Sequence, residues 1–318
     1  LKNFFDNVVF FIIRCILAAI QALSVHNALV VARFMGSVGW LFMPQYRATS
    51  LRNLDIVYGE TKTQKEKKAI AIKSFQHFVS VTIELLLLPR LYKRPDFWQR
   101  VQFEGRQHLD EALARNKSII FVTGHTGSWE LCAFASSILN MPLMPVARPL
   151  DNSQKLNEYM MDLRRKSGID LVYKRGALRT MVRALKDGTA LAFIMDQNAG
   201  RNGVLTNFFG EKVSTHPSAA AMAMKFDAPV VAVYAYRVGK GFNYRIHIEP
   251  IVEMAKTGNE AADLQKNTQR IVTILESFVS AHPEQWLWSH RRFRLKKKWF
   301  AGSARMADYA DQVNLSEM

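Results

Sequence analysis

Cysteine is nearly absent from this 318-residue chain. Cys15 and Cys132 are the only two, both in apolar stretches, with no CxxC pair. That excludes a disulfide framework and leaves no spacing suited to a metal. Acidic residues are also scarce: 27 Asp and Glu face 43 Lys and Arg, a net charge of +16. Such an excess implies an anionic partner, either nucleic acid or an acidic membrane surface, with a merely soluble basic enzyme as the plain alternative. Internal repeats and low-complexity segments are missing too. Apolar residues make up 49% and charged residues 22%, which excludes wholesale disorder, and the length allows one large domain or two small ones.

No apolar run is both long and uninterrupted. Residues 4–23 come nearest, but Asp6 and Arg14 break them, and a free transmembrane helix needs about 20 mostly apolar residues. The weak basic start and the lack of a small-residue cleavage site argue against a signal peptide. A second apolar helix follows over 28–42, carrying Arg33. Together the two predict a membrane anchor over 1–45, as a hairpin or as one anchor plus an interfacial helix; two buried core helices are the alternative. Attachment through the first helix is the expectation, and the natural start is expected upstream of Leu1.

Helices are predicted over 47–58 and 62–88, the latter stopped by Pro89, with a polar, aromatic link at 93–100. From there strands alternate with helices. Strands are expected at 118–123, 142–147, 169–173, 189–195, 229–236 and 243–249. Helices are expected at 106–115, 128–139, 152–167, 178–187, 216–226 and 260–281. The pattern predicts an α/β fold with a mostly parallel central sheet flanked by helices, one unit over 46–300, and a loose tail at 301–318.

The stretch 118–139 organises the rest. An apolar strand (Ile119 to Val122) leads through a Gly124–Gly127 turn into an apolar-periodic helix. His125 sits in the turn and Glu130 in the first helical turn. On one regular helix, five residues apart, they would diverge by about 140°. They face each other only if His125 precedes the helix, which the two glycines permit. A His and a carboxylate so placed can act as a base and its orienting group, and the helix start adds partial positive charge beside them.

Ligands of open α/β sheets gather beyond the carboxyl ends of the strands. The polar residues following the expected strands are His125, then Arg148, then Lys174 and Arg175, then Asp196, Gln197 and Asn198. That set suits an acyl acceptor carrying phosphate, although loops are polar in any case. Asn207-Phe208-Phe209-Gly210 reads as a lid, an apolar wall or a plain turn. Thr215 is the expected N-cap of a helix beginning near Pro217, with His216 solvent-side or structural. Residues 283–299 interleave aromatics and cations (Trp286, Trp288, Arg291, Arg292), a pattern suited to stacking on nucleic acid or to a membrane interface. The apolar N-terminus favours the membrane, and no RNA-binding motif competes.

These blocks together resemble the bacterial lipid A biosynthesis late acyltransferases (lauroyl/myristoyl type), within the lysophospholipid acyltransferase superfamily. The resemblance runs over residues 5–295. It rests on Gly124-His125-x4-Glu130 with Trp129 before the acid, Arg52-Asn53-Leu54, Arg148-Pro149-x-Asp151-Asn152, Asp196-Gln197, Phe208-Phe209-Gly210 and the block from Pro283 to Arg292. Thr126 and Ser128 depart from it, standing where members usually carry Phe and Asn. The resemblance implies fatty acyl transfer from acyl carrier protein to a lipid hydroxyl at the cytoplasmic face of the inner membrane. It implies His125 as general base and Glu130 as the group holding the other imidazole N–H. Arg148 would bind acceptor phosphate, with Lys174 and Arg175 nearby and Asp196 and Gln197 supporting the substrate site. Trp286, Trp288, Arg291 and Arg292 are expected to contact membrane or donor. No cofactor or metal is implied, and no nucleic acid. The expected partners are acyl carrier protein, anionic lipid and a phosphorylated glycolipid acceptor, with the chain a monomer. The alternatives are acylation of another lysolipid or glycolipid, or an inactive membrane-surface binding protein.

Overall fold

The computed structural model describes residues 11, 14–115, 118–147, 154–166, 172–173 and 177–296. Arg148, Lys174 and Arg175, the first ten residues of the expected anchor and the expected tail at 301–318 lie outside them.

The chain enters through helical turns at 14–22 and then α1 (Val25–Phe42), capped by Ser24, whose hydroxyl accepts from the Asn27 N–H. α2 (Pro44–Tyr58) and α3 (Gln64–Leu91) follow. A reciprocal capping box starts α3: the Thr63 hydroxyl accepts from Glu66 N–H, and the Glu66 carboxylate accepts from Thr63 N–H. Pro89 does not stop this helix, which runs on to Leu91. A proline so near the end removes one hydrogen bond without deflecting a following turn. α1 and α3 are both long and apolar enough to cross a membrane by length and composition, but α3 buries over half of its apolar window, as a core helix does. α1 packs on it closely enough that a Cβ on Gly36 would meet the Gln76 Cα at 2.4 Å. The outer side of α1 exposes Val30, Phe34, Leu41 and Phe42.

The α/β body follows. A helical turn (Phe97–Arg100) precedes β1 (Val101–Glu104), then come α4 (Arg106–Arg115), β2 (Ile120–Thr123), α5 (Trp129–Ile138), β3 (Leu143–Ala147), α6 (Gln154–Lys166), β4 (Val172–Tyr173), α7 (Ala177–Lys186) and β5 (Ala190–Ile194). After these come β6 (Val204–Phe208), β7 (Glu211–Thr215), α8 (Ser218–Phe226), β8 (Val230–Arg237), β9 (Tyr244–Ile251) and α9 (Glu260–Ala281). Among the described residues one sheet has seven strands, in the order β1-β9-β8-β2-β5-β3-β4. β8, β2, β5, β3 and β4 run parallel, whereas β9 is antiparallel to β8 and carries β1 parallel to itself. β2 lies at the centre, and all four of its residues are buried. Its alternating side chains feed two cores: Phe121 joins α3 and α5 residues such as Leu87, Leu131 and Phe134, while Ile120 and Val122 join Ile271, Leu275 and Phe278 of α9.

β6 and β7 form a separate antiparallel hairpin. Phe208 pairs with Glu211, leaving Phe209 (φ 52) and Gly210 (φ 78) as the turn, a two-residue geometry matched to strand twist. The stretch read as a lid, wall or turn is therefore a hairpin tip, and its Phe208 is buried. Thr215 ends β7 instead of capping α8, whose N-cap position is Pro217.

Candidate active site

β2 and β5 are parallel neighbours in which Thr123 stands opposite Ile194. The register carries two steps further, so the residues after each strand, His125 and Asp196, meet at the carboxyl edge. The Asp196 carboxylate accepts from the His125 backbone N–H at 2.6 Å and faces the His125 Nδ1 at 2.9 Å. The Trp286 indole N–H donates to the same carboxylate at 2.8 Å. Burial by itself raises this carboxyl, but the His125 charge and the hydrogen bonds from His125 and Trp286 outweigh it and hold it at about 2. An ionised Asp196 favours a proton on Nδ1, so in the neutral imidazole the lone pair falls on Nε2. Nε2 lies 3.5 Å from the Gln197 amide.

Glu130 occupies a different position from the expected one. Its carboxylate takes both the Nε (3.1 Å) and an Nη of Arg164 on α6, a forked ion pair. His125 precedes α5, as the spacing requires, but its ring meets Trp129 edge-on with centroids 5.0 Å apart. Asp196, expected as a substrate-side group, thus holds the imidazole N–H that Glu130 was expected to hold. The reason is register: β5 delivers its carboxylate beside the turn, whereas Glu130, already on the helix, turns toward α6. Arg164 carries no mark in the sequence. It is one cation among several on an amphipathic helix.

The turn is held on every side. Gly127 N–H donates to Gln285 O (2.9 Å), Ser128 N–H to Ala235 O (2.7 Å) and Leu287 N–H to His125 O (3.0 Å), so that Thr126 and Trp286 form an antiparallel bridge. His77 of α3, buried beneath, donates from Nε2 to Gly127 O at 3.1 Å. Desolvation, together with the nearby Arg237 charge, holds His77 down at about 3, so it is neutral. Gly127 has φ 58, and a Cβ there would lie 1.9 Å from Ala235 O; only glycine fits. The amides of 127 and 128 are thus already committed, which makes the N–H groups of Trp129 and Glu130 the candidates for meeting an anion at the start of α5.

The C-terminal aromatic block is interior, contrary to the expected membrane or donor contact. Trp286, Trp288 and Arg292 are buried, while Arg291 is exposed. Asn53 donates to the carbonyls of Trp288 and His290, each at 2.7 Å, and the Ser74 hydroxyl donates to Trp286 O. Arg292 donates to the carbonyls of Gln197 and Ser214 (2.9 Å each) and to the Thr215 hydroxyl (2.8 Å), over the Phe208 ring. Burial lowers its pKa to about 10, against the opposing pull of Asp196. Interleaved aromatics and cations look alike in sequence whether they face lipid or pin one strand end to another.

A profile of the family described as bacterial lipid A biosynthesis acyltransferase matches residues 5–295. The chain is 28% identical over 266 residues to the lipid A biosynthesis palmitoleoyltransferase of Escherichia coli (strain K12), covering 82% of this chain and 83% of the relative. It is 25% identical over 268 residues to the lipid A biosynthesis lauroyltransferase of the same organism, with the same coverage. A phosphatidylinositol mannoside acyltransferase of Mycobacterium tuberculosis (strain ATCC 25618 / H37Rv) is 22% identical over 186 residues, 57% of this chain and 56% of that one. With the fold, the histidine at the sheet edge and a family match spanning nearly its whole length, the chain belongs to the bacterial lipid A biosynthesis acyltransferase family.

Proposed function

We propose that this acyltransferase moves a fatty acyl group from acyl carrier protein to a hydroxyl of a lipid A precursor at the cytoplasmic face of the inner membrane. The observation that carries the reading is the Asp196–His125 couple, in which the carboxylate faces Nδ1 and leaves Nε2 turned to the rim. Nε2 takes the acceptor hydroxyl's proton as the oxygen attacks the thioester carbonyl. Asp196 stabilises the imidazolium that forms. The tetrahedral oxyanion is met by the N–H groups of Trp129 and Glu130 and the positive end of α5. Collapse breaks the C–S bond, and the imidazolium returns its proton to the departing thiolate. A thioester is already activated, so the reading calls for no metal ion or cofactor. The Glu130–Arg164 pair flanks the histidine, positioned to order the substrate; Arg148, with Lys174 and Arg175, is assigned to acceptor phosphate.

The exposed apolar side of α1, with Arg33 and Arg47 beside it, supports attachment to an anionic bilayer. The net charge of +16 suits both that surface and an acidic carrier protein. The test is transfer by the purified chain from acyl-carrier-protein thioester to a lipid A precursor, with H125A as control. Full transfer by H125A would remove His125 from the chemistry. Lipid A mass spectrometry on a strain lacking the gene decides the acceptor: a missing secondary acyl chain supports lipid A. Unchanged lipid A points instead to another glycolipid, a reading favoured by the mannoside-acylating relatives.

A further inference from the structure

Asp196 is buried to 4% exposure beside a histidine that must accept and return a proton. A carboxylate there has two oxygens and a free torsion, and how it turns decides which imidazole nitrogen is protonated. Two donors converge on Oδ2: the His125 backbone N–H at 2.6 Å and the Trp286 indole N–H at 2.8 Å. Oδ1 is left to the ring at 2.9 Å. The indole is itself immobile. Its residue is 1% exposed, its carbonyl accepts from Ser74, and its ring lies between Phe208 (5.6 Å) and Trp288 (4.7 Å). A phenyl ring would fill most of that space, but only an indole brings a donor to the carboxylate.

We propose that Trp286 is a positioning residue for acyl transfer: its indole N–H, with the His125 amide, fixes Asp196 so that one carboxylate oxygen is reserved for the His125 ring. This rests on His125 being the general base. The charged and titratable groups around the couple are Arg292 above Phe208, His290 (whose Nε2 accepts from Asn198 N–H), neutral His77 behind the turn, and the Glu130–Arg164 pair on α5 and α6. None of them supplies a second side-chain donor to Oδ2.

The experiment is the pH profile of kcat and kcat/KM for W286F, full chain, with acyl-carrier-protein thioester as donor. Losing one donor to a charged acceptor is expected to lower kcat roughly 10- to 100-fold with KM for the donor unchanged. The carboxylate, relieved of that donor, concentrates its charge on the imidazolium, so His125 becomes more basic and the acid limb moves to higher pH. In D196N the further change W286F should cost almost nothing. An unshifted acid limb, or an equal loss in both backgrounds, would overturn the proposal and leave Trp286 as packing alone. H125A separates the two ideas, since full activity there sinks the base itself. If W286F does not fold, labelling with 15N-tryptophan decides. In W129F, which removes from the six indoles the one against the His125 ring, one of the five remaining indole signals should titrate with the acid limb and stop doing so in H125N; no such signal would refute the proposal.

Discussion

Asp196 and His125 are joined twice, through the backbone N–H at 2.6 Å and through Nδ1 at 2.9 Å. One carboxylate therefore fixes both the position of the histidine and its tautomer. D196N keeps the shape but lets the amide face Nδ1 with a donor, favouring the wrong tautomer. It should lower kcat roughly a thousand-fold or more. E130Q weakens the pair with Arg164 without touching His125, so it should lower turnover while leaving the acid limb of the pH profile in place. Steady-state kinetics across pH separates the two. A limb that moves in E130Q and stays fixed in D196N would reverse the assignment.

Much of this arrangement was legible in the sequence. All six expected strands exist: most are short apolar runs bounded by turns, as buried parallel strands are, and β9 alternates apolar with polar residues. His125 was placed outside the helix by spacing alone, and Asp196 was placed at its rim. What could not be read was which strands are neighbours. The couple follows from the pairing of Thr123 with Ile194, a contact between strands separated by three crossovers. β1 was missed because Val101–Glu104 alternates over only four residues. The β6–β7 hairpin was missed because Thr206, Asn207, Lys212 and Ser214 make its strands look like loop. The block around Trp286 was read outward because burial has no signature in an aromatic–cation mixture.

Gly127 and Gly210 both have positive φ, but only the first is enclosed. G127A should cost more than about 3 kcal/mol, since a Cβ would strike the Ala235 carbonyl. G210A, with open space around it, should cost only about 1 kcal/mol. Denaturant midpoints of the two variants check this, and near-equal losses would contradict the enclosure.

His77 is neutral in the fold at about 3, against an ordinary 6.5. Below pH 6.5 the unfolded chain takes up a proton that the folded chain refuses, so this contribution is present above 6.5 and lost as pH falls toward 3. Thermal melts should fall across that window. H77Q, which keeps a donor for Gly127 O, should flatten the decline; an unchanged slope would show that His77 is not its source.

Glu84 on α3 is buried with Arg237 at the end of β8, and the Tyr244 hydroxyl donates to it at 2.6 Å. E84A strands a buried guanidinium and should destabilise the fold by about 3–5 kcal/mol. Replacing both partners with apolar residues should recover much of that loss. Chemical unfolding of the single and double variants tests the expectation, and a double variant no more stable than E84A would count against it.

The bridge between Thr126 and Trp286 also sets an order in time. The histidine turn leaves the ribosome long before the segment that clamps it, a wait on the order of ten seconds at ordinary synthesis rates. Through that interval the apolar entry helices have already been made. Asp196 meanwhile has no indole and Gly127 no partner for its amide. A nascent chain of this build therefore completes its apolar entry helices well before its histidine turn is clamped.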